Sequence, residues 1–318
     1  MSQDQTEDKD IDVLRDELKK LKHDNDMLAM NVDELTTTNT HLISATWRER
    51  ELKQELQSTK ELVDRQHKSI TDSINYAKRI QHALIPKFEE IQEEFKDSFM
   101  YFKAKDVVSG DFPWLYVRNK FVYIAAVDCT GHGVPGAMMS LIGHLLLNDL
   151  VSNYEPDPAL LLTNLHWAVV KTLKQDVEGN ETADGMDIAM CRIDIKSGEV
   201  QYSGAHRPLY HVRNKELTQY KGDKYPIGGN QYEGKNSFQN HIIPIEEGDA
   251  IYFFSDGLPD QFGGPNKLKF GPKKIRNILT ENTHLTMEEQ KNLFETLFTE
   301  WQGDEKQVDD LLMIGIKF

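Results

Sequence analysis

The chain has 318 residues, which allows one large domain with an appendage or two domains, and its formal net charge of −15 argues against a nucleic-acid-binding protein. Its two cysteines, Cys129 and Cys191, are too few and too distant for a metal knuckle and fit a reducing compartment. Since no signal peptide and no run of 18 apolar residues is present, we expect a cytoplasmic protein without membrane insertion.

The N-terminal quarter of the chain carries a heptad repeat. Residues 1–10 are polar and acidic and are predicted to form a disordered tail. With Ile11 at position a, ten of the eleven d positions from Leu14 to Leu84 are apolar, and neither Gly nor Pro occurs before Pro86. This pattern predicts a coiled coil.

The coiled coil is predicted over residues 11–85. Asn25 and Asn39 fall at a positions, where buried Asn favours a parallel two-stranded coil in fixed register. We therefore expect a parallel homodimer. The alternative is a single amphipathic helix folded back on the globular part of the chain.

After Pro86 the pattern changes from a long helix to a mixed domain. Residues 86–98 are predicted to be a linker with a short helix, and residues 99–318 a single domain. Strands are predicted at residues 99–103, 114–117, 121–127, 186–193, 200–203, 209–212, 238–245, 250–254 and 311–316. Helices are predicted at residues 138–146, 158–173, 275–279 and 287–301. Strands in runs with helices in pairs indicate an α+β domain with mainly antiparallel sheets.

The most informative stretch begins with the apolar strand 121–127. It leads to Asp128 and then to a turn containing Gly131, Gly133 and Gly136. We interpret Asp128 as the central metal ligand of a hydrolase, because the strand fixes the carboxylate and the glycines allow close approach. The glycine spacing also matches a dinucleotide-binding fingerprint, although the next segment is a helix instead of the expected strand. A third interpretation is a turn that the aspartate caps.

Acidic residues recur at the ends of apolar strands. Asp111, Asp128, Asp256 and the Asp309–Asp310 pair all have this placement. If the strand edges meet, the carboxylates would repel one another unless a cation lay among them. Oxygen ligands favour Mg²⁺ or Mn²⁺, and two such ions can hold a water molecule of lowered pKa. Each motif alone is more often simple turn chemistry.

The motifs together resemble those of the bacterial SpoIIE/RsbU-type serine phosphatases, a branch of the metal-dependent PPM protein phosphatases. The resemblance covers residues 77–318 and requires all the elements in order. These are AKRIQHALIP (77–86), KDVVSGDF (105–112), VDCTGHGVPGA (127–137), DGMDIAMCRID (184–194), YSGAHRPLY (202–210), GDKYPIGG (222–229), FFSDGLPDQFGG (253–264) and QVDDLLMIGI (307–316).

This resemblance implies a PPM-type α-β-β-α sandwich of two mainly antiparallel sheets flanked by helices, with two Mn²⁺ or Mg²⁺ ions at one edge. It implies that Asp128 bridges the ions and that the backbone carbonyl of Cys129 binds the second. Asp256 and Asp309 would complete the first ion, and Asp111 would serve the second.

The ligand set has one ambiguity and three further candidates. Asp310 is the alternative to Asp309, because the doublet is ambiguous by one residue. His132, inside the glycine turn, is a candidate for contacting phosphate or acting as an acid; alternatively it fixes the loop. Arg207 is a candidate for gripping phosphate, the alternative being a surface salt bridge. Asp187 lies inside an apolar strand, needs a partner there and is expected to support the metal shell.

The resemblance implies hydrolysis of phosphoserine or phosphothreonine on a protein, often an anti-sigma-factor antagonist. We expect a dimeric phosphatase whose activity an unidentified partner regulates through the coiled coil. A catalytically silent coiled-coil scaffold and a small-molecule phosphate or nucleotide hydrolase are the two alternatives.

Overall fold

The computed structural model describes residues 4–180, 182–229 and 237–318, with side chains from residue 13 onward. It divides into two units, one ending at Thr71 and the other comprising Asp72–Phe318. The helices are α1 (Asp4–Leu84), α2 (Phe88–Glu94), α3 (Gly133–Ser152), α4 (Pro158–Thr172), α5 (Gly257–Asp260), α6 (Gly271–Glu281) and α7 (Met287–Gln302).

Helix α1 begins at Asp4, inside the stretch where we expected a tail. Residues 1–3 lie outside the described residues. Eight apolar d positions of the heptad are more than half exposed in this single chain: Leu14, Leu21, Leu28, Leu35, Leu42, Leu56, Val63 and Ile70. The parallel dimer that would cover them stays a prediction.

Two antiparallel sheets form the centre of the second unit. The strands are β1 (Ser98–Lys103), β2 (Phe112–Arg118), β3 (Phe121–Cys129), β4 (Gly185–Asp194), β5 (Val200–Ala205), β6 (Leu209–Arg213), β7 (Glu216–Tyr220), β8 (Ile227–Gly228), β9 (His241–Ile243), β10 (Ala250–Phe254), β11 (Phe262–Gly263), β12 (Leu268–Lys269) and β13 (Leu311–Lys317). One sheet has the order β1-β13-β10-β6-β7 and the other β2-β3-β4-β5-β9, with β8 on β4.

The side chains alternate between two faces of each sheet, as strand geometry requires. Ile124 and Ala126 of β3 and Ile251 and Phe253 of β10 belong to the same buried cluster, which lies between the sheets. The opposite faces pack against helices α3 and α4 on one side and α6 and α7 on the other. The predicted sandwich of two antiparallel sheets flanked by helices is confirmed.

Several strand boundaries differ from prediction. β3 extends through Asp128 and Cys129, which pair with Asp187 and Met186 of β4. The strand predicted at 238–245 is reduced to β9, because Pro244 lacks an N–H for a ladder.

Helix α3 is the one described helix whose length and composition would allow it to cross a membrane. The domain core accounts for its apolar character, since Met139, Leu147 and Val151 are buried against the second sheet and α4.

Candidate metal centre and active site

The edge of the sandwich where β3 and β10 end brings acidic residues of both sheets together. Asp128, at the end of β3, lies opposite Asp187 of β4. The backbone N–H of Asp256, two residues after β10, donates to Asp128 Oδ2 at 3.2 Å. The structure therefore joins three acidic residues that are up to 128 positions apart in the sequence. We call Asp111, Asp128, Asp187, Asp256 and Asp309 the carboxylate cluster.

Asp111, just before β2, is the most deeply buried member of the cluster, at 3% exposure. Burial and the neighbouring Asp128 carboxylate raise the pKa of Asp111, against a hydrogen bond from Ser255 that lowers it. Asp111 Oδ2 is buried without a hydrogen-bond partner. Because a buried acceptor without a partner is costly, this oxygen indicates a place for a cation.

Asp128 also lies in a buried environment beside other carboxylates. Burial raises the pKa of Asp128 to about 7; Arg207 opposes the shift, and Asp256 and Asp187 add to it. Carboxylates that cannot all ionise without a cation are the electrostatic pattern expected of a divalent-metal site.

Asp309 and Asp310 are adjacent in the sequence but have different surroundings. The two carboxylate oxygens of Asp310 accept from the backbone N–H groups of Lys105 and Gly110, each at 2.7 Å, and the residue is 1% exposed. Asp310 therefore anchors the loop that leads to Asp111. Burial raises the pKa of Asp309, and the charge of Asp256 adds to that shift. Asp309 therefore has Asp256 as a charged neighbour, whereas both oxygens of Asp310 are engaged by the loop.

Arg207, in the turn between β5 and β6, lies among the carboxylates. Its Nη2 donates to Asp187 Oδ2 and Asp256 Oδ2, each at 2.7 Å, and is 3.4 Å from Asp128 Oδ2. Its side chain is 16% exposed and that of Asp256 is 40% exposed, so these ion pairs are partly buried. Asp187 thereby obtains the partner that its strand position required.

His206, the residue before Arg207, is a residue that the sequence analysis did not single out. It has a positive φ of 57°, and its Nδ1 lies 2.9 Å from Asp187 Oδ1. Asp187 is thus held by two basic neighbours. His tolerates this left-handed conformation better than most residues, but a local pattern does not reveal it.

The glycine turn after β3 is shaped by close backbone contacts. A Cβ on Gly136 would lie 2.2 Å from Gly131 O, and one on Gly110 would lie 2.5 Å from the same oxygen and 3.3 Å from Cys129 O. Glycine is therefore required where this turn meets the Asp111 loop, and the Cys129 carbonyl lies at that junction. Burial raises the pKa of the Cys129 thiol well above its usual value, which disfavours the thiolate form that a nucleophile would need.

His132 contacts a carboxylate that is not one of the carboxylate cluster. It occupies the N-cap position of α3, and its Nδ1 is 2.7 Å from Asp106 Oδ2. The side chain is about half exposed. This contact matches the loop-fixing interpretation of His132, and Asp106 is a second residue that the sequence analysis did not single out.

The donor chemistry of the cluster fits a divalent cation. Among the described residues, no three His, Cys, Asp or Glu side chains already have the geometry of a metal site. The Arg207 guanidinium lies where three of the carboxylates meet. The unpartnered oxygen of Asp111 and the all-oxygen donors nevertheless suit a hard ion such as Mg²⁺ or Mn²⁺.

Comparison with known proteins agrees with this geometry. The family model for stage II sporulation protein E (SpoIIE) matches residues 119–318. The chain is similar to the SiaA-PP2C domain of Pseudomonas aeruginosa, with 29% identity, a TM-score of 0.72, and coverage of 79% of this chain and 98% of that one. A search of curated protein sequences gave no match.

Two more distant structures share the fold. The PP2C phosphatase domain of Bacillus subtilis SpoIIE, solved with a fragment of its regulatory domain, has 15% identity and a TM-score of 0.57, with coverage of 70% of this chain and 63% of that one. The RsbU and RsbW domains of a Mycobacterium tuberculosis protein have 18% identity and a TM-score of 0.55, with coverage of 70% and 59%.

The fold and this edge of the sandwich define a PP2C-type protein phosphatase. PP2C phosphatases are a metal-dependent class of enzyme. The chain belongs to the SpoIIE family and is a protein serine/threonine phosphatase.

Proposed function

We propose that this enzyme removes phosphate from phosphoserine or phosphothreonine of a small regulatory protein, of the anti-sigma-factor-antagonist type, using two Mn²⁺ or Mg²⁺ ions. The observation that carries the proposal is the convergence of five carboxylates from both sheets, one of which has a buried oxygen without a partner. The buried, free cysteines fit action in the cytoplasm.

In this proposal Asp128 would serve both ions. Asp256 and Asp309 would help to hold the first ion, and Asp111 and the Cys129 carbonyl would hold the second. Asp310 holds the Asp111 loop in place, and Asp187 orients Arg207. When bound, the ions would supply an activated water molecule and neutralise charge on the phosphoryl group.

Arg207 is the residue we assign to the substrate phosphate. Its guanidinium lies at the mouth of the cluster and offers the planar donor fork that binds phosphate in two places. No thiolate or serine nucleophile is required, because phosphoryl transfer depends mainly on positioning and charge neutralisation.

The test of this function is turnover of a phosphoprotein by the full-length chain, with Mn²⁺ and with a chelator. We expect Mn²⁺-dependent release of phosphate from the phosphoprotein and little from a free nucleotide. Preferential turnover of the nucleotide would favour a small-molecule hydrolase. The absence of turnover together with the absence of metal binding would favour a scaffold.

We further propose that the coiled coil regulates the enzyme through Gln81, in the last turn of α1. Gln81 Nε2 donates to Ser109 O at 2.6 Å and to Ser140 Oγ at 2.9 Å, and Gln81 Oε1 accepts from Ser109 N at 3.1 Å. The residue is 3% exposed. Since Ser109 lies two positions before Asp111, a rotation of this helical turn would displace a proposed metal ligand.

Replacing Gln81 with Ala is expected to lower activity roughly tenfold at limiting Mn²⁺, because two buried backbone groups of Ser109 lose their partner and the Asp111 loop loosens. Raising the Mn²⁺ concentration should restore part of the loss. Gln92→Ala, at an exposed helical glutamine, is the matched control and should behave as wild type. Activity of Gln81→Ala equal to wild type at every Mn²⁺ concentration would rule out this route of regulation.

A further inference from the structure

The position of Arg207 has a consequence for metal binding that is separate from any contact with substrate. One nitrogen, Nη2, serves Asp187 and Asp256 at 2.7 Å and approaches Asp128 at 3.4 Å. A single monovalent group thus neutralises Asp128 and Asp256, two of the residues that the proposed function gives to divalent ions.

The cluster needs such a group whenever no metal is bound. Like charges a few ångströms apart in a poorly hydrated site repel strongly, and side-chain exposures of 16% to 18% for Arg207, Asp128 and Asp187 leave little room for water to screen them. Burial disfavours the charged form of Arg207, but the carboxylates outweigh it and raise the pKa of the guanidinium above its usual value.

The backbone that carries Arg207 is fixed on several sides. The N–H of His206 donates to Asp223 O, and Asp223 N donates to Gly204 O, each at 2.8 Å. The Tyr202 hydroxyl donates to Arg207 O. Because the turn is tied down in this way, any departure of the guanidinium from the carboxylates would have to come from rotation of its own side chain.

We propose that Arg207 is the built-in counter-cation of the carboxylate cluster: paired with Asp187, it competes with a divalent ion for Asp128 and Asp256, and metal entry would release its guanidinium from these two carboxylates toward the substrate phosphate. This inference rests on the proposed function, because it assumes that the cluster binds divalent ions. It makes Arg207 a determinant of metal affinity as well as a phosphate contact. The metal-free enzyme is then a stable folded state, and its affinity for metal is set by how firmly Arg207 is held.

The direct test is calorimetric titration of MnCl₂ into the substrate-free full-length chain at pH 8. Arg207→Gln should bind Mn²⁺ at least about tenfold more tightly than wild type, a change of about 1.4 kcal/mol. Lys224→Gln removes one positive charge at an exposed position and should leave the Kd unchanged. Arg207→Lys keeps the charge without the planar fork and should give an intermediate Kd.

Thermal unfolding gives a second readout that needs no activity. Without metal, Arg207→Gln should melt below wild type because the carboxylates lose their partner, and Mn²⁺ should raise its Tm by more than it raises that of wild type. If Arg207→Gln does not fold without metal, the comparison is made with Arg207→Lys, whose Mn²⁺ affinity should still exceed that of wild type.

The outcomes separate the two proposals. If wild type binds Mn²⁺ and Arg207→Gln binds it equally or more weakly, Arg207 does not compete with the ion and this inference is overturned while the proposed function stands. If neither folded protein binds Mn²⁺, the proposed function itself fails. Equal Kd values for Arg207→Lys and Arg207→Gln would contradict the argument from charge.

Discussion

Asn in place of Asp128 is expected to lower kcat/KM for a phosphoprotein substrate on the order of 10³-fold. Asp128 contacts both the Asp256 backbone and the Arg207 guanidinium, so it lies at the centre of the cluster. Loss of its negative charge should remove the proposed bridging ligand. Steady-state turnover at saturating Mn²⁺, with a parallel Mn²⁺ titration, measures both effects.

The same substitution should leave the fold intact. Because burial raises the pKa of Asp128 to about 7, a neutral side chain of the same shape is tolerated at this position. Asp194→Asn is a matched control, since Asp194 lies on the neighbouring strand β4, at the end opposite Asp187, and pairs with Lys120. The control should keep its turnover. Full Mn²⁺-dependent activity in Asp128→Asn would refute the proposed mechanism.

Substitutions at the adjacent residues Asp309 and Asp310 should have different effects. Asp309→Asn is expected to lose activity on the order of 10²-fold and to bind Mn²⁺ more weakly, with a free energy of unfolding equal to or above that of wild type. Relief of repulsion from Asp256 is the reason for the preserved stability.

Asp310→Asn is expected to lower the free energy of unfolding by about 2 kcal/mol, since hydrogen bonds to a charged, buried acceptor are the stronger kind. Its amide can accept from only one of the two N–H groups, of Lys105 and Gly110, that the carboxylate now serves. Chemical denaturation and Mn²⁺ titration distinguish the two variants. A stable Asp310→Asn that has lost metal binding, beside an unaffected Asp309→Asn, would reverse the assignment.

Local sequence patterns were sufficient for the fold class because the core strands are apolar on both faces and the helices have clear periodicity. Strand β10 was predicted with its observed bounds. By contrast, β7 is polar and largely exposed at the edge of its sheet, so no apolar pattern marks it. Strand β9 was overestimated because Phe238 is apolar for a different reason: it packs against Tyr225 outside the sheet.

In the candidate site too, some residues can be identified from the sequence around them, whereas others depend on contacts between distant segments. Asp128 was recognisable because a buried strand and a glycine turn flank it within a few residues. The contacts of Arg207 and Asp310 depend on segments that only folding brings together. Arg207 pairs with Asp256, which is 49 positions away, and Asp310 accepts from Gly110, which is 200 positions away. The contact of Gln81 with Ser109 is of this kind too, since the heptad assigns Gln81 only to an a position.

The central claim is that acidic side chains from both sheets hold divalent ions at one edge of the sandwich. An anomalous difference map at the manganese edge, from crystals of the full-length enzyme grown with Mn²⁺, tests it most directly. We predict two peaks, both with Asp128 as a ligand, one also with Asp256 and Asp309 and the other near Asp111, with the Arg207 guanidinium turned away from them. A map with no manganese at this edge, and with Arg207 still paired to Asp187 and Asp256, would contradict the account.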